Sequence, residues 1–147
     1  MREISRSAIV GHSAARLYAL VEDVAAYPRF LPWCLGADVT ERSDNAMLAR
    51  LEVGMRALRQ SFTTRAVSRP GESIHIELVE GPFRAFDADW HFTPLGDAAC
   101  KIEFRLAYEF SSRAAAASLG PLFEHIADTM VDAFTRRAEA LHGHDTR

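Results

Sequence analysis

Between residues 100 and 110 the chain reads CKIEFRLAYEF, with Cys100, Ile102, Phe104, Leu106, Tyr108 and Phe110 alternating against Lys101, Glu103, Arg105, Ala107 and Glu109. A helix, advancing about 100° per residue, smears such a pattern around its circumference. A strand sends successive side chains to opposite faces. The alternation therefore dictates a long strand with one dry face and one wet face, the habit of an antiparallel sheet.

The same period runs through the preceding segments. Met47, Ala49, Leu51, Val53 and Met55 share a face against Arg50 and Glu52. Leu58, Phe62, Thr64 and Ala66 oppose Arg59, Thr63, Arg65 and Arg69. After the turn PGES, Ile74, Ile76 and Leu78 oppose His75 and Glu77; in FDADWHF, Phe86, Ala88, Trp90 and Phe92 oppose Asp87, Asp89 and His91. Period two begins at Leu35, and a short, partly alternating strand is expected within residues 2–10. Strands joined by short turns favour a meander.

Two segments carry helical spacing instead. After Ser13, a suitable N-cap, Leu17, Leu20, Val21 and Val24 recur at helical intervals. From Ser112 to Gly143 a long amphipathic helix carries Leu122, Phe123, Ile126, Met130, Phe134 and Leu141 on one stripe, with a kink or a division expected at Gly120-Pro121. Between the first helix and the sheet stands YPRFLPWC, residues 27–34, stiffened by Pro28 and Pro32 yet too apolar for an ordinary solvated loop. The order is thus strand, helix, irregular apolar segment, six strands, long helix. A sheet with one wet face must cover the other, and the terminal helix is the available cover. A single helix roughly 10 Å across does not fill the concavity of a strongly curved sheet. Large side chains or a pocket must take up the remainder.

At 147 residues the chain is the size of one domain, read as residues 1–142 followed by a loose tail, 143–147. The net charge of −3 argues against nucleic-acid binding driven by overall charge, although a local basic patch is compatible with it. Cys34 and Cys100 match no zinc or redox spacing and are expected to be reduced, buried thiols. No signal-peptide pattern opens the sequence and no apolar run is long enough to span a membrane, so a cytoplasmic protein is expected.

Three stretches, Asp23-Val24 with Tyr27 to Cys34, Gly81-Pro82-Phe83, and Phe134 with Arg137-Ala138, together with the element order, carry a family resemblance. The sequence resembles the coenzyme Q-binding branch of the START-like helix-grip superfamily, also labelled polyketide cyclase/dehydrase and lipid transport, over about residues 3–142. The resemblance implies an α+β helix-grip fold: a seven-stranded curved antiparallel sheet wrapped around a long C-terminal helix, enclosing an apolar cavity. With no transit peptide at the N-terminus, it points to a bacterial, cytosolic form. Bacterial relatives are also described as toxins that inhibit ribosomal subunit association, so the family carries two functional readings.

The cavity reading assigns ligand contacts to Phe30 and Trp33 from the irregular segment. From the sheet it takes Leu51, Val53, Phe62, Thr64, Ile76, Leu78, Phe83, Phe86, Trp90, Phe104 and Tyr108, and from the final helix Phe123, Ile126, Met130 and Phe134. Among the inward positions Thr64, Gln60 and Tyr108 offer polar atoms that suit a quinone carbonyl. The lipophilic ligand expected is ubiquinone, held as cargo with no other cofactor by a non-catalytic carrier supporting respiratory electron transport at the periphery of the inner membrane. The second reading rests on Arg50, Arg56, Arg59, Arg65 and Arg69, opposed only by Glu52, as a patch for ribosomal RNA or for anionic headgroups at a membrane surface. Catalysis has little support. The six histidines show no metal-ligand spacing, and no nucleophile elbow, phosphate loop or dinucleotide fingerprint is present. Asp87 and Asp89 are expected as solvated charges, so no catalytic residue and no metal ligand is assigned; an aromatic or polyketide cyclase is the third reading.

Overall fold

Alternation becomes architecture in a single antiparallel sheet of seven strands: β1 (Arg2–Val10), β2 (Cys34–Arg42), β3 (Ala46–Met55), β4 (Leu58–Arg69), β5 (Ser73–Glu80), β6 (Phe83–Pro94) and β7 (Cys100–Phe110). The computed structural model describes residues 1–143. In space the order is β1-β7-β6-β5-β4-β3-β2. Strands β2 to β7 form the expected meander, and β1 crosses to the far edge, where Arg2 lies opposite Tyr108 and Val10 opposite Cys100. The alternating apolar residues of β7 are all buried, while the charged ones between them stay partly or wholly in water.

Helix α1 (Ala14–Glu22) begins as the sequence predicts: the Ser13 hydroxyl accepts a hydrogen bond from the Arg16 N–H at 3.1 Å, and Leu17 and Val21 are buried. Helix α2 (Arg113–His142) starts on Ser112, whose hydroxyl accepts from the Ala115 N–H at 3.0 Å. It ends at Gly143, whose φ of +66° a side-chain-bearing residue adopts only at a cost. The expected division at Gly120-Pro121 does not occur; α2 runs through both residues. A proline forfeits one intrahelical hydrogen bond, and the burial of Leu119, Leu122 and Phe123 on either side holds the turn in place. Of the expected loose tail, 143–147, Gly143 is the cap of α2 and the remainder lies outside the described residues.

The apolar segment after α1 is more regular than its prolines suggest. A 3₁₀ helix spans Val24–Arg29 with Pro28 inside it. The Tyr27 phenol donates to the Val21 carbonyl, and the Leu31 N–H donates to the Tyr27 carbonyl at 2.9 Å. Burial pushes the Tyr27 hydroxyl far above its ordinary pKa, with the neighbouring Cys34 adding to the effect.

The inner face of the sheet, α1 and α2 share one core, with Leu17, Val53, Trp90, Ile102 and Phe134 fully buried. At one end of α2 the buried His12 joins the turn before α1 to the helix, its Nε2 lying 2.9 Å from Glu139 Oε1 and its Nδ1 3.2 Å from Arg16 Nη1. Cys34 and Cys100 are buried free thiols, and burial pushes the Cys34 thiol up to about 11. Among the described residues no helix is long and apolar enough to cross a membrane.

Candidate functional site

The inward residues of β3, β4, β5, β6 and β7 curve around α2 without meeting it completely. The space left is an apolar cavity of about 90 Å³ between the sheet, α2 and the end of α1. Trp33, Leu51, Val53, Phe62, Thr64, Ile76, Phe86, Phe104, Phe123, Ile126 and Met130 line it. Val21, Val24 and Tyr27 add a wall that period-two patterning does not reveal, because it comes from α1 and the 3₁₀ helix. Met47, Ala49, Ala66, Ser68, Ile74, Ala88 and Leu106 complete the lining from inward strand positions, several of them with side chains small enough to leave the space open, and Ser68 adds a hydroxyl beyond those expected there.

Six side chains expected around the ligand lie elsewhere. Phe83 stacks on Phe110 with centroids 4.9 Å apart, and Tyr108 joins the same aromatic cluster with Phe123. Trp90 and Phe134 pack edge to face at 5.4 Å in solid core. Leu78 packs beside the Phe83 cluster near Gly81. Phe30 lies outside, under the guanidinium of Arg137, 4.8 Å from the ring centroid. For the four on the sheet the reason is curvature: strand parity fixes which face a residue occupies, whereas the bend of the sheet relative to α2 decides whether it meets the helix or the hollow.

Of the three polar groups expected inside, only Thr64 lines the cavity. Gln60 turns its amide to the Ser61 carbonyl at 2.8 Å. Tyr108 points toward Arg2 and Glu124, and burial raises its phenol above the ordinary value. Glu22 stands at the rim, ion-paired with Arg42 at 2.5 Å. Among the described residues lining the cavity, the ionisable side chains are Glu22 and Tyr27, the first held at the rim by Arg42 and the second spent on the Val21 carbonyl.

The outer face of the sheet is sharply divided. On β3 and β4, Arg50, Arg59, Arg65 and Arg69 are exposed on one side, and Arg56 sits in the two-residue turn between the strands with φ +60°. Arg59 lies 3.5 Å from Glu52. The cross-strand neighbours Asp38 and Glu77 make no ion pair with Arg50 or Arg65 among the described residues. Towards β7 the charges are tied together. His75 donates through Nδ1 to Asp89 at 2.6 Å and lies 3.2 Å from Asp87 through Nε2. The Arg105 guanidinium bonds Asp87 at 2.5 Å and also Asp89. Asp87 and Asp89 are therefore members of an ion network and not the independent solvated charges expected from sequence. His75 and the two carboxylates have the proximity of metal ligands, but Arg105 already holds one oxygen of each carboxylate.

This network sets a pH dependence. The hydrogen bond to Asp89 raises the His75 pKa above 6.5, against partial burial. Burial of Asp89 pulls its pKa upward, but the bonds from His75 and Arg105 prevail and hold it below the usual carboxylate value. The stability supplied by His75 is thus full below its unfolded value of about 6.5 and disappears as pH rises through the folded value. That from Asp89 is present above its unfolded value of about 3.9 and disappears as pH falls through its folded value. In a proton NMR titration His75 is expected to have its midpoint above the value of about 6.5 for an unperturbed imidazole, and Asp89→Asn to lower that midpoint. A His75 midpoint that does not fall in Asp89→Asn contradicts the network.

A family model described as "Polyketide cyclase / dehydrase and lipid transport" matches residues 10–135. A ribosome association toxin, RatA, of Vibrio cholerae is 46% identical over 143 residues, covering 97% of this chain and 99% of that protein. The mitochondrial coenzyme Q-binding protein COQ10 of Drosophila melanogaster is 28% identical, covering 97% of this chain and 60% of that protein. Among solved structures, the Zhui aromatase/cyclase from Streptomyces sp. R1128 superposes with a TM-score of 0.84 at 16% identity, over 94% of this chain and 93% of that one, a likeness of fold alone.

Proposed function

Because the chain belongs to the polyketide cyclase/dehydrase and lipid transport family, we propose that its helix-grip domain serves as a non-catalytic ribosome-binding module that opposes subunit association. The observation that carries this is the arginine row of β3 and β4, read beside the full-length similarity to a protein named for ribosome association. Arg50, Arg65 and Arg69 project from one sheet face with no ion pair among the described residues, so their charge is available to phosphates. The outer face of the hydrogen-bonded strands presents such a row at fixed spacing, and backbone-directed contacts need no base-specific pocket.

Co-sedimentation with purified ribosomal subunits tests the proposal. Binding is expected to fall steeply with added salt. Replacing Arg50, Arg65 and Arg69 together by Glu is expected to weaken it by roughly a thousandfold or more, since each charged hydrogen bond to phosphate contributes about 1.5–3 kcal/mol. A folded triple variant that sediments with subunits like the unmodified protein overturns the proposal.

The apolar cavity favours a second reading, carriage of ubiquinone. Buried methylenes each contribute about 0.8 kcal/mol, and the Thr64 hydroxyl supplies one orienting contact for a carbonyl. At about 90 Å³ the hollow is well below the roughly 300–1,000 Å³ of pockets that enclose drug-sized ligands, so carriage requires sheet and helix to part. Mass spectrometry of solvent extracts from purified protein checks this; an extract without isoprenoid quinone tells against it.

A further inference from the structure

Trp33 is the one side chain, among the described residues, that lines the apolar cavity and also both grooves on the surface beside it. On its outer side the two grooves, of about 340 and 490 Å³, share Pro32 and His125 and run from the β3–β4 hairpin along the C-terminal half of α2. Leu35 and Met55 stand exposed beside Trp33, at 41% and 38% of their full accessibility. The Gly54 N–H donates to the Trp33 carbonyl at 2.9 Å, tying the hairpin to this segment. Arg56 occupies the hairpin tip in the left-handed region, a conformation uncommon for a residue with a side chain and concentrated at functional sites.

Four arginines surround the grooves. Arg59 is answered by Glu52 and Arg136 by Asp132, at 3.5 and 3.0 Å, whereas Arg56 has no ion pair among the described residues and Arg137 covers the Phe30 ring. The surface is therefore locally basic on a chain of net charge −3, and aliphatic at its centre. RNA has phosphates for the arginines but nothing for Leu35 and Met55, which have no flat face on which a base stacks. An anionic bilayer meets all three features: headgroup phosphates for Arg56 and Arg59, the acyl boundary for Leu35 and Met55, and an apolar interior immediately behind Trp33.

We propose that the Trp33 surface, from Pro32 and Leu35 across to Met55, Arg56 and Arg59, is a docking face for anionic lipid bilayers. The proposal is independent of ribosome binding, whose arginine row lies further along β3 and β4.

Vesicle flotation tests it, using phosphatidylcholine alone and an equimolar mixture with phosphatidylglycerol. The full chain is expected to float with the mixed vesicles and not with phosphatidylcholine, and to be released by salt. Arg56→Ser with Arg59→Ser is expected to weaken flotation by roughly tenfold or more, given the contribution of each arginine near a charged surface. Leu35→Ser with Met55→Ser is expected to weaken it by roughly tenfold, since the apolar contacts are lost while the charge is kept. Lys101→Ser, at the opposite end of the sheet, is expected to leave it unchanged. Circular dichroism confirms that the variants fold. Failure of the unmodified chain to float with mixed vesicles overturns the proposal. So does flotation insensitive to Leu35→Ser with Met55→Ser, or weakened as much by Lys101→Ser. Loss of ribosomal-subunit binding in the Arg56/Arg59 variant, without vesicle flotation by the unmodified chain, reassigns the face to RNA and overturns it equally.

Discussion

Phe134→Ala is expected to lower the free energy of unfolding by about 3–5 kcal/mol, measured by chemical denaturation. Phe134 is completely buried, and its ring contacts Trp90, Tyr27 and Phe30 at centroid distances of 5.4, 5.4 and 5.3 Å. Three elements meet there: α2, β6 and the segment that follows α1. The surrounding rings are anchored from different directions, so the void left by truncation has little means of collapsing, and the cost belongs at the upper part of the range for large-to-small changes. A loss below about 1 kcal/mol implies that these rings re-pack freely and that the core is softer than described.

The next largest effect is expected at Gly54. A Cβ placed there comes within 2.5 Å of the Leu58 carbonyl oxygen and 2.7 Å of Leu35 Cδ1. The side chain is able to move aside; the carbonyl belongs to the β3–β4 hairpin and moves only with its backbone. Gly54→Ala is expected to cost about 1–3 kcal/mol, the range for overpacking. Gly11→Ala is the matched control, since a Cβ at Gly11 meets nothing within 4 Å. Thermal unfolding of the two variants checks the difference, and equal melting temperatures contradict the close approach of hairpin and Leu35. The same change displaces Met55 and Arg56, so vesicle flotation is expected to weaken with stability.

Strand parity proved legible because it is local. The alternation of β7, read from eleven letters, returns as buried and wet faces, and Ser13 and Ser112 cap the helices where their hydroxyls predict. The family resemblance and the order of elements likewise agree with the observed sheet and its relatives. Which inward side chains meet the hollow is not a local property. Trp90 and Phe104 occupy the same face, yet Phe104 borders the hollow while Trp90 packs beyond it against Phe134, because the curvature of the sheet and the path of α2 decide which one meets space. The ion network escaped for a similar reason: His75, Asp87, Asp89 and Arg105 come from three strands, and only register brings them within bonding distance. In YPRFLPWC the prolines suggested irregularity, whereas the tighter 3₁₀ geometry accommodates Pro28 and turns Trp33 into a partition between inside and outside.

The partnership of β1 with β7 bears on how the polypeptide reaches this state. The first ten residues emerge early from the tunnel of a translating ribosome, but their hydrogen-bonding mate is residues 100–110. Until that mate appears, Ile4 and Val10 have no sheet to enter, and the backbone of this stretch offers an open edge to any passing strand. Closing a loop this long early is entropically costly, so the final sheet assembles late and slowly compared with a helical bundle of equal size. Nascent chains halted before Phe110 are therefore expected to be the aggregation-prone species of this protein.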